Sequence, residues 1–487
     1  MATRPGVYVS EAPLPRVIAN PNTSEALGGF LGTALRGPTS PELVTSWSDF
    51  VSKFGEFSSG TTLPYALYQF FSNGGGTAYV SRVLGSGAVA ATKDFGPGRL
   101  VFNAISKGVW GNKIKVNVAL STDKKTFTIS VIDNIRGVDV VVEQFRDLSM
   151  VLSNNRYVLS IVNSPTIGSQ YITVVHTNLT ETDLTAGGEV TLAGGADGSA
   201  PVAGDYGAAF DQFDDIDANF VFNVPGVPDV TALVTKVASG RQDSIFVVDT
   251  AEDQTAAQIA GSALPSSSYA AVYYPWIYIS DPAPGAVRGG VVKVPPGASV
   301  VGMILRTDTS RGVFKAPAGV SATLANTVAS EKRLTNADLD SLASINVNVI
   351  RPVPGSGITV MGARTRAVGT SDQYISVRRT INYVKKRAAE VSRFALFEPN
   401  TPALWEQLRV TNGAFLSELW QVGGLAGLDF SQAFYVKCDG ENNTTATISN
   451  GEVHVEIGIA PAFPAEFVII RVGQFEADAS TIVTEEV

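Results

Sequence analysis

Residues 220–226 read Phe220-Val221-Phe222-Asn223-Val224-Pro225-Gly226, and residues 244–249 read Ser244-Ile245-Phe246-Val247-Val248-Asp249. Each is a short apolar run, rich in aromatic and β-branched residues, that ends in polar or turn-forming residues. Such runs predict strands. Residues 200–360 as a whole alternate strand and helix patterns. Residues 26–95 do the same. Gly28-Gly29-Phe30-Leu31-Gly32-Thr33-Ala34 predicts a buried strand, residues 63–72 a helix stopped by Asn73-Gly74-Gly75-Gly76, and residues 77–83 the next strand. The two stretches together predict one α/β domain, 26–97 and 197–360, interrupted by an insertion.

The interrupting residues, 98–196, have a different period. Lys113-Ile114-Lys115-Val116-Asn117-Val118 and Thr126-Phe127-Thr128-Ile129-Ser130-Val131 alternate in twos, the pattern of half-buried strands. This predicts an all-β insert whose exit is marked by Gly187-Gly188 and by the glycines of residues 192–198. Residues 361–475 predict an α+β C-terminal domain. Tyr374, Val377, Ile381, Val384, Ala388 and Val391 form a helical stripe. A second helix opens at Thr401-Pro402, a capping residue before a proline, and is lined by Leu404, Leu408, Phe415 and Leu419 up to Gly423-Gly424. Val453, Val455, Ile457 and Ile459 then alternate with His454, Glu456, Gly458 and Ala460, predicting a half-buried strand over 453–460. Another strand is expected over 467–475.

The two ends need partners. Residues 5–11 read Pro5-Gly6-Val7-Tyr8-Val9-Ser10-Glu11, and residues 480–487 read Ser480-Thr481-Ile482-Val483-Thr484-Glu485-Glu486-Val487. Pro5, Pro13, Pro15 and Pro21 keep the first 25 residues extended. A lone strand of this length does not hold itself up in water. Each end must join a sheet edge, in its own fold or in a neighbour, and the second case describes a polymer joined by strand addition.

Composition narrows the function. A chain of 487 residues implies two to four domains. Its 45% apolar and 17% charged residues are a globular mixture, and its net charge of −9 is the wrong sign for bulk nucleic-acid binding. Met1-Ala2-Thr3-Arg4-Pro5 has no apolar run behind it, which argues against a signal peptide. No run of about 18 apolar residues predicts a membrane span. Cys438 is the single cysteine, so no intrachain disulfide forms and a reducing compartment fits. One cysteine and two distant histidines, His176 and His454, argue against a structural zinc site.

No catalytic motif appears. The sequence has no Gly-Lys dipeptide, no G-x-G-x-x-G and no G-x-S-x-G, and its glycine clusters suit turns. Asp211, Asp214, Asp215 and Asp217 lack the spacing of a calcium loop and suit a solvated helix end. Arg378, Arg379, Lys385, Lys386 and Arg387 lie mainly off the apolar stripe. Two readings stay open for them: a solvated helix face, or an electrostatic contact with an acidic partner. Cys438 suits a small buried residue, and His454 the polar side of its strand. No catalytic, metal or cofactor residues are assigned.

Residues 458–474, GIAPAFPAEFVIIRVGQ, together with PGVYVSE at 5–11, resemble the contractile tail sheath family of phages and related contractile injection systems. Further motifs agree in order: Tyr273-Tyr274-Pro275-Trp276-Ile277, Val294-Pro295-Pro296-Gly297, residues 311–318 (RGVFKAPA), Asn348-Val349-Ile350-Arg351, residues 357–365 (GITVMGART) and residues 374–379 (YISVRR). The resemblance spans essentially the whole chain. It implies a non-enzymatic subunit of stacked hexameric rings, forming a six-start sleeve that contracts and drives an inner tube through a target envelope. Its implied partners are further copies of itself, the inner tail tube protein, and the baseplate and terminator or collar proteins, with no nucleic acid, membrane insertion or cofactor. The implied location is the virion tail, assembled in the bacterial cytoplasm. The alternatives are a phage-derived injection device or a non-contractile structural polymer.

The resemblance also implies sites. Val7, Tyr8 and Val9 would be the N-terminal arm strand, and Thr481, Ile482 and Val483 the C-terminal one. The receiving sheet would include Val453, Val455, Ile457, Phe467 and Ile469. The C-terminal domain would face the tube and the insert would face outward. Arg378, Lys385, Lys386, Glu418 and Gln421 are the candidate tube-facing residues. In some sheaths a charged end of the second C-terminal helix grips the tube. Here that end reads Ser417-Glu418-Leu419-Trp420-Gln421, which implies a more polar contact or the use of other loops.

Overall fold

The computed structural model describes residues 26–96, 100–122, 124–135, 137–177, 184, 186–287 and 289–466. The expected arm strands at Val7, Tyr8, Val9 and Thr481, Ile482, Val483, and Phe467 and Ile469 of the expected receiving sheet, lie outside these residues. At the centre is an eight-stranded sheet in the order Gly357–Val360, Val347–Val353, Ala270–Tyr274, Ile245–Asp249, Phe220–Asn223, Leu27–Gly32, Ala78–Arg82, Glu42–Val44. The six inner strands pair in parallel and the two edge strands are antiparallel. Three strands precede residue 90 and five follow residue 219, so a split α/β body closes into one sheet.

The opening sequence runs explain this architecture. Phe220–Asn223 and Ile245–Asp249 are buried along their whole length, as expected of strands covered on both faces. Val221 and Val247 face a layer built from helices Trp47–Phe54, Leu63–Ser72 and Gly297–Arg311. Phe220, Phe222 and Phe246 face helices Ala203–Asp211, Thr231–Lys236, Ala256–Ala260 and Asn336–Ser344. Gly29 lies beside the Phe222 ring, where a Cβ would stand 2.3 Å away. Glycine is what seats that aromatic ring in the sheet. Helix Leu63–Ser72 stops as its glycines predict: Gly74 has φ +95°, and the Gly75 N–H donates to the Phe70 carbonyl at 3.0 Å.

Asp249 closes the carboxyl end of this sheet. Its carboxylate is fully buried and accepts hydrogen bonds from the N–H of Gly297 (2.7 Å), from Asn223 Nδ2 (3.1 Å) and from the N–H of Gly226 (3.2 Å). Gly297 opens helix Gly297–Arg311. The helix N-terminus at the strand ends, where many α/β proteins receive an anion, is filled here by the chain's own carboxylate.

Residues 92–191 are interposed between the two halves of the large sheet. They form an antiparallel four-stranded sheet, Gly188–Thr191, Lys115–Leu120, Phe127–Ile135 and Val138–Leu148, and a three-stranded one, Thr92–Phe95, Leu100–Ala104 and Ile172–His176. Val116, Val118, Ile129 and Val131 are the inward half of the period-two pattern and share a core with Trp110 and Phe102. The two chain crossings are zipped together by bridges between Val89 and Ala196 and between Thr92 and Ala193. Two arginines of the α/β body hold the insert. Arg36 lies 4.3 Å from the Tyr171 ring centroid, and buried Arg82 donates to the Lys107 carbonyl at 2.7 Å.

The C-terminal part contains helices Ile375–Val391 and Pro402–Gln421, and a ribbon of Phe434–Lys437 against Glu456–Ile459. Val384, Phe415, Leu416 and Leu419 form its core, and Leu404, Leu408 and Cys438 a smaller cluster. The expectation of a side-chain cap at Thr401 is corrected. Its backbone is extended, as at an N-cap, but its hydroxyl makes no capping hydrogen bond, and Pro402 starts the helix.

Candidate assembly interface

The ribbon contains Ile457, and the segment leading into it contains Val453 and Val455, the described part of the expected receiving sheet. Phe434 pairs with Ile459, Tyr435 with Gly458, Val436 with Ile457 and Lys437 with Glu456. Among the described residues it has only these two strands, so each has an outer edge without a strand partner. A two-stranded ribbon is marginal alone. Here one side packs on the Phe415–Leu419 core through Phe434, Val436, Ile457 and Ile459. Gly458 is required by a close crossing: a Cβ there would lie 2.0 Å from the Tyr435 ring.

The expected strand over 453–460 is shortened to Glu456–Ile459. Alternation of burial still holds at Val453 and Val455, which pack on the Leu404 and Leu408 cluster. Between them, the backbone of His454 is held by Asn443. Its side chain accepts from the His454 N–H at 2.7 Å and donates to the His454 carbonyl at 3.0 Å. A buried amide thus imitates a neighbouring strand for one residue and takes the backbone groups His454 would offer to a ladder. His454 itself is exposed and meets Glu452 at 3.0 Å. Cys438 is buried, and burial pushes its thiol pKa up, which is the state of an inert packed thiol.

The basic run of helix Ile375–Val391 turns inward more than its sequence suggested. Arg379 forms a two-pronged pair with Asp308 on helix Gly297–Arg311: Nη1 to Oδ1 is 2.6 Å, and Nη2 meets Oδ2. Their side chains are only 6% and 2% exposed. Arg378 is buried over the Tyr269 ring at 4.9 Å, with Asp372 and Asn382 each at 3.1 Å. Lys385 donates to Gln242 at 2.9 Å, and burial, helped by Arg378, lowers its pKa. Lys386 and Arg393 converge on Asp217 at 3.1 and 2.8 Å and hold its carboxyl below the usual range. Of the expected solvated face, Arg378 and Arg379 are therefore corrected to buried latch residues between the C-terminal helices and the α/β body. The stripe had hidden this because the N-terminal half of the helix is enclosed on nearly every side. Glu418 and Gln421, at the end of helix Pro402–Gln421, are exposed.

The acidic run 211–217 is distributed over separate partners, with Asp211 on Lys236 and Asp217 on Lys386 and Arg393. A further pair escaped the sequence reading although both members lie in motifs quoted above. Arg364 meets Glu466 through Nε at 3.1 and 3.0 Å and through Nη2. This clamp ties Gly362-Ala363-Arg364-Thr365 to Pro464-Ala465-Glu466.

The fold, a doubly wound domain with a β insert followed by a helix pair and a ribbon, is similar to that of solved sheath tail proteins. A chain in the cryo-EM structure of the anti-feeding prophage helical sheath in the contracted state matches over 98% of this chain and 100% of its own, with 21% identity and a TM-score of 0.57. A chain of the contracted sheath complex of the extracellular injection system PVC matches over 98% of both, with the same identity and score. The sheath tail protein Lin1278 from Listeria innocua matches over 86% of this chain and 89% of its own, at 14% identity and a TM-score of 0.63.

Residues 200–366 match the phage tail sheath protein central domain and residues 369–475 the phage tail sheath C-terminal domain. The chain belongs to the phage tail sheath family. The tail sheath protein of Vibrio phage KVP40 is 26% identical over 190 residues, which is 38% of this chain and 27% of that protein. The match thus spans about a quarter of that relative's length.

Proposed function

We propose that this chain is a structural, non-enzymatic subunit of a contractile tail sheath. Copies stack as hexameric rings around an inner tail tube, in a six-start sleeve bounded by baseplate and by terminator or collar proteins. The sleeve shortens and drives the tube through a target envelope. The ribbon of Phe434–Lys437 and Glu456–Ile459 carries the proposal, because among the described residues it is a two-stranded sheet to which the strand-like ends of neighbouring copies can add. Val7, Tyr8 and Val9, and Thr481, Ile482 and Val483, are the arm strands that join it. Val453, Val455, Ile457, Phe467 and Ile469 belong to the receiving side. Main-chain hydrogen bonds tolerate reorientation of the bodies they link, so residues 12–22 and 476–480 serve as hinges.

The division proposed is an arm over 1–25, an α/β body over 26–97 and 197–360, an outward insert over 98–196, a tube-facing domain over 361–475 and an arm over 476–487. Glu418 and Gln421, with the partly exposed Lys385 and Lys386, are the tube-facing side chains. The latch between helix Ile375–Val391 and the α/β body supports motion of residues 26–466 as one unit. Assembly takes place in the bacterial cytoplasm. Near full-length similarity to sheath chains of the anti-feeding prophage and of PVC favours, as a second reading, the sheath of a phage-derived injection device. Removal of residues 480–487 tests the proposal. Folded subunits that no longer form sleeves in negative-stain images are expected. Sleeves of normal length from the truncated chain refute the arm mechanism.

A further inference from the structure

The loop after helix Ile375–Val391 carries an apolar knob. Leu396 is 69% exposed and Phe397 is exposed completely. Phe397 also has φ +65°, a left-handed conformation that is a genuine outlier for a bulky residue. Such strain persists only where the surroundings impose it. Here the loop is pinned on both sides: the Glu398 N–H donates to the Ala395 carbonyl at 3.2 Å, Arg393 is held by Asp217, and Asn400 bridges Trp405 and the Glu452 carbonyl. A rigid scaffold therefore presents a phenyl ring to water, an arrangement unfavourable for an isolated subunit.

A groove of about 680 Å³ lies at the other end of the same helix. Its walls include Phe314, Leu339, Ala343, Val349, Met361 and Phe463. Its size is within the range of pockets that enclose a small ligand, roughly 300–1,000 Å³. Tyr374, just before the helix, meets Phe463 of the groove wall edge to face at 6.0 Å. A helix of 17 residues separates its two ends by about 25 Å, so the knob of one chain does not reach its own groove. The rim sets Lys315, Arg351 and Arg364 against Asp340 and Glu466, and Glu466 is already engaged by Arg364. Buried Nε of Arg351 has no hydrogen-bond partner among the described residues. Glu398, immediately after the knob, is exposed and brings a carboxylate of the right sign.

We propose that Leu396 and Phe397 of one subunit insert into the groove lined by Phe314, Ala343 and Phe463 of a neighbouring subunit, with Glu398 meeting the cationic rim. Knob and groove are different patches of one surface, so the contact is heterologous and repeats from copy to copy, around a ring or along a helical array. The proposal rests on the polymer reading given above.

The test is cross-linking and assembly of the full chain. F397C combined with A343C is expected to give a ladder of covalent oligomers under oxidation, while each single variant gives none. F397E, at a fully exposed position, is expected to keep the wild-type melting temperature and to raise the concentration needed for sleeve formation about tenfold or more, since a buried phenyl group is lost. Wild-type-like assembly of F397E, or sleeves in which 397 and 343 never cross-link, overturns the contact while leaving the polymer reading intact. Intrachain cross-linking of A343C with I469C also overturns it, by giving the groove to the chain's own end. A wild-type chain that never forms sleeves removes the polymer reading and this contact together.

Discussion

Breaking the Arg379–Asp308 pair is expected to loosen the C-terminal helices from the α/β body. The two side chains are 6% and 2% exposed and joined by two hydrogen bonds. Replacing Asp308 by Ala leaves a buried guanidinium without its counter-charge. Desolvation of the remaining ion is then uncompensated, and the cost is about 3–5 kcal/mol. For a body of this size that lowers the melting temperature by on the order of 10 °C. R379M with D308L removes both charges, and its cost is expected to be below about 1–2 kcal/mol because nothing buried is left unpaired. Thermal unfolding followed by circular dichroism gives the two shifts. Hydrogen exchange gives their location, with the largest rise expected in residues 375–382, all but one of them buried. If D308A melts within about 2 °C of wild type, or if the double variant is as damaged as the single one, the latch argument is wrong.

Asp249 gives a pH dependence of defined sign. Burial raises its pKa to about 6, against the opposing hydrogen bonds from Asn223, Gly226 and Gly297. The folded chain therefore binds this proton more tightly than the unfolded chain. The contribution to stability is complete below about pH 4 and is lost as pH rises through about 6, a change of roughly 2–3 kcal/mol. Urea titrations of wild type and D249N across that window are expected to differ in slope, and identical slopes refute the assignment. G29A places a methyl group 2.3 Å from the Phe222 ring and is expected to cost about 1–3 kcal/mol in chemical denaturation; a neutral effect shows that the sheet has slack there. Replacing residues 98–196 with a short linker is expected to leave sleeve formation intact in electron micrographs. A folded core that forms no sleeves shows instead that the insert belongs to the lattice.

Local patterns were legible where one residue type answered one physical demand. The apolar runs at 220–223 and 245–249 emerged as fully buried central strands, and Asn73-Gly74-Gly75 stopped its helix where glycine was needed. The alternating insert sorted its side chains as its period required. Features arising from long-range pairing were not legible. Nothing near residue 308 announces a partner at 379, and the surface-like Arg-Arg dipeptide gave no sign of burial. The expected strand 453–460 kept its period but was shortened to 456–459, and the backbone of His454 went instead to an amide 11 positions away, Asn443. Arg364 and Glu466 stood in two quoted motifs, yet only the fold shows that the motifs meet. No sequence pattern singles out Phe397, whose positive φ and full exposure belong to the folded loop.

In the proposed function this chain builds a sleeve with two states held by the same inter-subunit strands. Electron microscopy of sleeves assembled with the tube protein tests it most directly, imaged before and after a contraction trigger. Two discrete populations are expected, one long and narrow and one short and wide, each with arm strands from neighbouring copies on the 434–437 and 456–459 ribbon. A single sleeve geometry under all conditions, or a ribbon with both edges bare in the assembled array, contradicts the proposed function.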